Sequence, residues 1–182
     1  APAPRVELGP AARSLPPLAA TGHPSPRCSL GLQYENGKGL PQDNRTALKW
    51  YTLAAERGDA SAQYNLGVMY RNGKGVPQDY KTAVKWYRLA AEQGHASAQF
   101  FLGVMYGNGR GVPQDDKTAV KWYRLAAEQG IAPAQFSLGL MYYNGKGISQ
   151  DDKAAVKWWT LAAEQGQAGA QTNLDVMYEQ GR

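Results

Sequence analysis

Apolar residues recur at helical spacing along this chain, and the helical segments themselves recur. In residues 60–71 (ASAQYNLGVMYR), Ala62, Leu66, Met69 and Tyr70 share one face. Asn72-Gly73 ends that segment, because glycine readily takes the left-handed conformation that closes a helix. Gly75 adds a second flexible point, and Pro77 cannot continue a helix. Asp79 is placed to cap a second helix over 80–93, whose apolar side is Ala83, Val84, Trp86, Tyr87, Ala90 and Ala91. On this pattern Trp86 and Trp122 are expected in the core. Gly94 stops the second helix.

The two-helix unit repeats. Trp50, Trp86, Trp122 and Trp158 are each 36 residues apart, and Gly31, Gly67, Gly103 and Gly139 keep the same step. The units run 24–59, 60–95, 96–131 and 132–167, and a half unit follows at 168–182. A 36-residue hairpin of helices is too small to bury a core of its own, so the copies are expected to stack into an all-α solenoid. Gly67 and its repeats sit in mid-helix, where glycine costs about 1 kcal/mol against alanine. That cost is tolerable where two helices approach closely. Asp175 stands at the same place in the half unit, where no second helix follows. With Thr172, Asn173, Glu179 and Gln180 it makes a more polar segment, expected as a capping helix; a cut within a longer array is the alternative.

These motifs resemble the Sel-one-like repeat family, a branch of the tetratricopeptide-like superhelices. The shared pattern is A-x-A-Q-x-x-L-G-x-M-Y-x-N-G-x-G-V-P-Q-D followed by K-A-V-K-W-Y-x-x-A-A-E-Q-G, three times in full. The first unit departs from it at Pro24, Pro26, Arg27, Cys28 and Gln33. The resemblance implies an α/α right-handed superhelix serving as a non-enzymatic protein-interaction scaffold, with a protein or extended peptide as partner. It implies a bacterial setting, periplasmic or secreted in preference to cytoplasmic, though the sequence assigns no compartment. One cysteine-rich bacterial subgroup is linked to penicillin binding. That makes β-lactam binding or hydrolysis an alternative, against which the missing paired cysteines count.

Residues 1–23 are different material, rich in Pro and Ala, with neither aromatic residues nor Lys. They read as a linker, a fusion scar or a docking peptide, and self-association through them is among the expected contacts. The chain opens without Met or a signal peptide, which fits a leader removed beforehand. The 182 residues carry a net charge of +5 and a single cysteine, Cys28, so no intrachain disulfide forms. Only His23 and His95 are histidines. No metal site or cofactor is expected, and no apolar run reaches the length of a membrane span.

Several motifs invite chemistry that their context denies. Lys74-Gly75 follows a helix and lacks the glycine spacing and Ser or Thr of a phosphate-binding loop. Asp115-Asp116 and Asp151-Asp152 begin helices, where carboxylates cap amides. Glu92, Glu128 and Glu164 near helix ends are solvated, or paired with Arg88 and Arg124 four residues back. Lys81, Lys85 and Arg88, repeated as Lys117, Lys121 and Arg124, form a basic outer band. It would serve an anion or nucleic-acid binder, the second alternative, but no aromatics clearly interleave with it and nucleic acid is not expected.

The resemblance places the first helix of each unit on the concave groove, where the variable positions are informative. They are Tyr64, Phe100, Phe136 and Thr172; Asn65, Phe101, Ser137 and Asn173; and Arg71, Gly107, Tyr143 and Glu179. Two readings stand for the aromatic series: rings packed between repeats, or an aromatic groove floor edged by hydrogen-bonding side chains. On the second reading Tyr64, Asn65, Arg71, Phe100, Phe101, Phe136 and Tyr143 are the partner-binding residues.

Overall fold

A computed structural model describes residues 25–179, which form nine helices and no strand. They are α1 (Pro26–Asn36), α2 (Asn44–Ala55), α3 (Ala60–Asn72), α4 (Tyr80–Glu92), α5 (Ala96–Asn108), α6 (Asp116–Glu128), α7 (Ala132–Asn144), α8 (Asp152–Glu164) and α9 (Ala168–Glu179). The segment 1–23, read as a linker, a fusion scar or a docking peptide, lies outside the described residues.

Local chemistry sets the helix boundaries. Asp43, Asp79, Asp115 and Asp151 cap α2, α4, α6 and α8 with their carboxylates. Thr46, Thr82 and Thr118 donate to the same carboxylates at 2.6 Å, and this chiefly holds Asp43, Asp79 and Asp115 below the usual carboxyl range. In the pairs Asp115-Asp116 and Asp151-Asp152, the first aspartate is thus the helix cap and the second opens the helix. At the other end of α3, Gly73 takes φ 68° and its N–H returns to the Met69 carbonyl.

Hydrophobic cores form between units as well as within them. One joins Ala83, Val84, Tyr87, Ala90 and Ala91 of α4 to Ala98, Leu102 and Met105 of α5, and the same arrangement joins α6 to α7 and α8 to α9. Each second helix therefore buries its apolar side against the first helix of the next unit, which is why one copy cannot stand alone. The loop glycines complete the stack. Gly75 has φ 69°, and a Cβ there would lie 2.6 Å from the carbonyl oxygen of Asn44 in the preceding unit.

The tryptophan expectation needs correcting. Trp86 and Trp122 are half-buried, whereas the next residue in each unit, Tyr87 or Tyr123, is buried. Trp159, at that same next position, is 1% exposed. The apolar side of Ala83, Val84, Trp86, Tyr87, Ala90 and Ala91 is wider than the buried stripe, and its tryptophan lies at the edge.

A buried polar ladder runs alongside. Gln63, Gln99 and Gln135 are 4–5% exposed. Their amides donate to the carbonyls of Ala55, Ala91 and Ala127, and their oxygens accept from Gln93, Gln129 and Gln165 at 2.7–2.8 Å. Every buried amide so bonded escapes the desolvation penalty and ties one unit to the next.

Candidate functional site

Variable positions of α3 and α5 meet through their side chains. Arg71 of α3 reaches α5, with its guanidinium carbon 4.3 Å from the Phe101 ring centroid, and its Nε donates to Asn72 Oδ1 at 3.1 Å. Phe101 stacks on Tyr87 at 5.7 Å and on Tyr64 at 6.0 Å, and tilts against Phe100 at 5.1 Å. Phe100 continues the band to Tyr123 at 6.0 Å. Thus Tyr64, Arg71, Phe100 and Phe101 come together in one aromatic band over α3–α6.

The other expected site residues stand apart from that band. Asn65 directs its amide to Cys28 Sγ at 3.8 Å, toward the first unit. Phe136 packs over Gly169 and against the α8–α9 core. Tyr143 lies against Trp159, with centroids 5.6 Å apart. Beside Tyr143 is a shallow cavity of ≈ 180 Å³, walled also by Leu140, Asn173 and Val176. All seven residues are half-buried. Tyr64, Phe100 and Phe136 each pack against the core that begins with their own unit's second helix while keeping part of the ring open.

His95 caps α5 by accepting the Ala98 N–H at Nδ1, 3.2 Å away, and its ring stacks on Tyr64 at 4.8 Å. Burial, more than the opposing charge of Asp59, holds its pKa below the usual value. On the outer band, Arg88 and Arg124 donate to the hydroxyls of Tyr106 and Tyr142 in the following unit, at 2.7 and 3.1 Å, rather than serving only their own helices. Among the described residues no group of three or more His, Cys, Asp and Glu side chains converges to hold a metal, and no helix is long and apolar enough to cross a membrane.

One arrangement was not anticipated. Tyr51 donates its hydroxyl to Glu35 Oε2 at 2.8 Å, and Lys74 pairs with Glu35 Oε1 at 3.4 Å. A carboxylate is thus held between a tyrosine hydroxyl and a loop cation on the first-helix face. The hydroxyl at the next repeat, Tyr87 Oη, is buried without a hydrogen-bond partner among the described residues. The signal in the sequence was the series Arg71, Gly107 and Tyr143, which Glu35 begins; its tyrosine partners looked only like core.

The Sel1 repeat family model matches residues 28–59, 60–95, 96–131 and 132–167, and the chain belongs to the Sel1-repeat family. Proteins of this family are commonly non-enzymatic protein-interaction scaffolds. Among solved structures the chain is similar to a protective antigen of uropathogenic Escherichia coli strains displaying an SLR fold, at 45% identity and a TM-score of 0.83, over 85% of this chain and 33% of that one. It is also similar to a Sel1 repeat protein from Oxalobacter formigenes, at 40% identity and a TM-score of 0.79, over 84% of this chain and 63% of that one. The chain therefore spans less than two thirds of either protein. A cysteine-rich protein B of Helicobacter pylori shares the fold at 24% identity and a TM-score of 0.58, over 73% of this chain and 96% of that one. No curated protein matches the chain.

Proposed function

We propose that this chain is a non-enzymatic scaffold that binds a protein segment along the concave face made by α3, α5 and α7. The observation that carries this reading is the uneven use of two kinds of position. Residues that build the fold barely change from unit to unit: Gly67, Gly103 and Gly139, or the buried Gln63, Gln99 and Gln135. Positions on the first-helix face change completely, from Glu35 to Arg71, Gly107 and Tyr143, and present carboxylate, cation, gap and ring in turn. A half-buried surface that varies between repeats and carries aromatics and an arginine has the composition of a protein-binding face. Tyr64, Arg71, Phe100, Phe101 and Tyr143 are its contact residues, with Asn65 and Phe136 at its two ends.

Selection from a displayed random-peptide library tests this. Peptides recovered on the native chain should lose binding at least tenfold to Arg71→Ala combined with Tyr143→Ala. They should keep it with Lys85→Ala combined with Lys121→Ala on the outer band. The reverse pattern would remove the first-helix face from consideration.

A further inference from the structure

Glu35 shows how this fold holds a carboxylate. The group accepts from Tyr51 Oη at 2.8 Å and from Lys74 Nζ at 3.4 Å, so a buried hydroxyl and a loop cation share one anion. Thirty-six residues on, the tyrosine is Tyr87 and the loop cation is Arg110; a further thirty-six on, they are Tyr123 and Lys146. What changes is the acid. Arg71 and Gly107 stand where Glu35 stands.

The consequences differ between the two units. Tyr87 is 0% exposed and its hydroxyl has no acceptor among the described residues, a state folded proteins avoid because the donor has lost water and gained nothing. The Arg71 guanidinium rests on Phe101 nearby, its positive charge opposing the effect of burial on the Tyr87 hydroxyl. At the next unit, Gly107 leaves a gap over Tyr123. A Cβ on Gly107 would stand 3.5 Å from Tyr123 Oη and 3.7 Å from Ala119 Cβ, ordinary contact with no other side chain among the described residues within 4 Å.

We propose that an acidic polypeptide segment lies along the first-helix face and sets one carboxylate at each of these places. Bound there, it supplies from outside what Glu35 supplies from within. At the first place Arg71 leaves the Phe101 ring and, with Tyr87 Oη, donates to the incoming carboxylate. At the second the carboxylate fills the Gly107 gap, accepts from Tyr123 Oη and faces Lys146. The two places are one unit apart, roughly 10 Å by helix packing, so the acids sit about three residues apart in an extended segment. The chain's net charge of +5 favours such a partner over a basic one. This proposal rests on the first-helix face being the binding face and names the chemistry of what binds.

Fluorescein-labelled octaglutamate and octaglutamine, titrated onto the full 182-residue chain at 150 mM salt and followed by anisotropy, test it; a run of eight acids samples every register. Octaglutamate should bind at least tenfold more tightly than octaglutamine. Arg71→Glu and Gly107→Glu install the first unit's own carboxylate and should each weaken octaglutamate at least fivefold. Tyr123→Phe, which removes one hydroxyl and keeps the ring, should weaken it severalfold with the circular dichroism spectrum unchanged, and serves if either charged variant fails to fold. Equal binding of the two peptides, or octaglutamate binding indifferent to all three variants, overturns the proposal. If library-selected neutral peptides still need Arg71 and Tyr143 in that case, the face survives and only the carboxylate reading falls. If Lys85→Glu with Lys121→Glu abolishes octaglutamate binding instead, the outer band is the anion site and both readings fall. Displacement of octaglutamate by octathymidylate at equal concentration, sensitive to the same three variants, would mark a phosphate site and equally overturn it.

Discussion

The ring of Tyr87 covers Gly67 so closely that a Cβ built on the glycine would lie 2.5 Å from the ring atoms Cδ1 and Cε1. Gly31 with Tyr51 and Gly103 with Tyr123 repeat the contact at 2.6 and 2.7 Å, and Gly139 meets Trp159 in the same way. The two helices of every unit are thus locked by a ring lying over a glycine. This predicts opposite outcomes for two glycines on α5. Gly103→Ala pushes a methyl into the buried Tyr123 ring and should cost about 1–3 kcal/mol. Gly107→Ala meets only ordinary contacts and should gain up to about 1 kcal/mol from helix propensity. Urea melts of the two variants check this; equal changes of the same sign would contradict it.

Neighbouring aromatics should likewise separate. Tyr87→Ala empties a fully buried site and should cost about 3–5 kcal/mol. Trp86→Ala trims a half-buried edge and should cost roughly 1–2 kcal/mol. Tyr87→Phe removes the unpartnered hydroxyl and should stabilise the chain by about 1 kcal/mol. Denaturant midpoints give all three values; a larger loss at Trp86 than at Tyr87 would invert the assignment of the core.

That pair also marks how far the sequence could be read. The repeat, the helix limits and the caps were legible because they rest on local chemistry: Asp79 before a helix, Gly73 after one, and a 36-residue step that cannot arise by chance. Which of two adjacent aromatics points inward was not legible, since Trp86 and Tyr87 both extend an apolar stripe and only the pitch of the neighbouring helix decides. Gln99 was visible as an invariant residue but not as a buried one, because its partners, Ala91 and Gln129, come from the second helices of two different units. On the candidate site, the variable positions were legible as variable. That Tyr51 and Glu35 form a pair, leaving Tyr87 without an acceptor, needed the α1–α2 and α3–α4 contacts.

His95 makes folding sensitive to mild acid. Its Nδ1 accepts the Ala98 N–H, which only an unprotonated nitrogen can do. Burial holds its folded pKa below the usual 6.5, so the unfolded chain takes up the proton first. Stability from this site is therefore fully present above about pH 6.5 and is lost as pH falls through the folded pKa, below which the loss levels off. Melting temperatures between pH 7.5 and 5 should fall for the native chain and fall less for His95→Asp, which substitutes the capping residue found at Asp59. Identical slopes would remove His95 from the account.

The first unit should open before the rest. Helix α1 buries only Cys28 and Gly31 and packs against no preceding unit among the described residues, while each later first helix is covered by the second helix before it. Cys28 reports on this. Burial first, and the Asp59 charge second, push its thiol up to about 12, so the closed unit presents almost no thiolate to a disulfide reagent. Labelling at pH 8 should be slow, and should accelerate in urea well below the main unfolding midpoint. Hydrogen exchange should show residues 27–57 less protected than 80–129; equal protection would contradict uneven opening.

The central claim is that the first-helix face, and not the outer band, receives the partner. Photo-crosslinking measures this most directly, with benzoylphenylalanine placed at the exposed position 108 at the end of α5 or at position 85 on α4 and a library-selected peptide as the target. The account predicts a crosslinked product from position 108, suppressed by excess unlabelled peptide, and none above background from position 85. Crosslinking from 85 with none from 108 would contradict it.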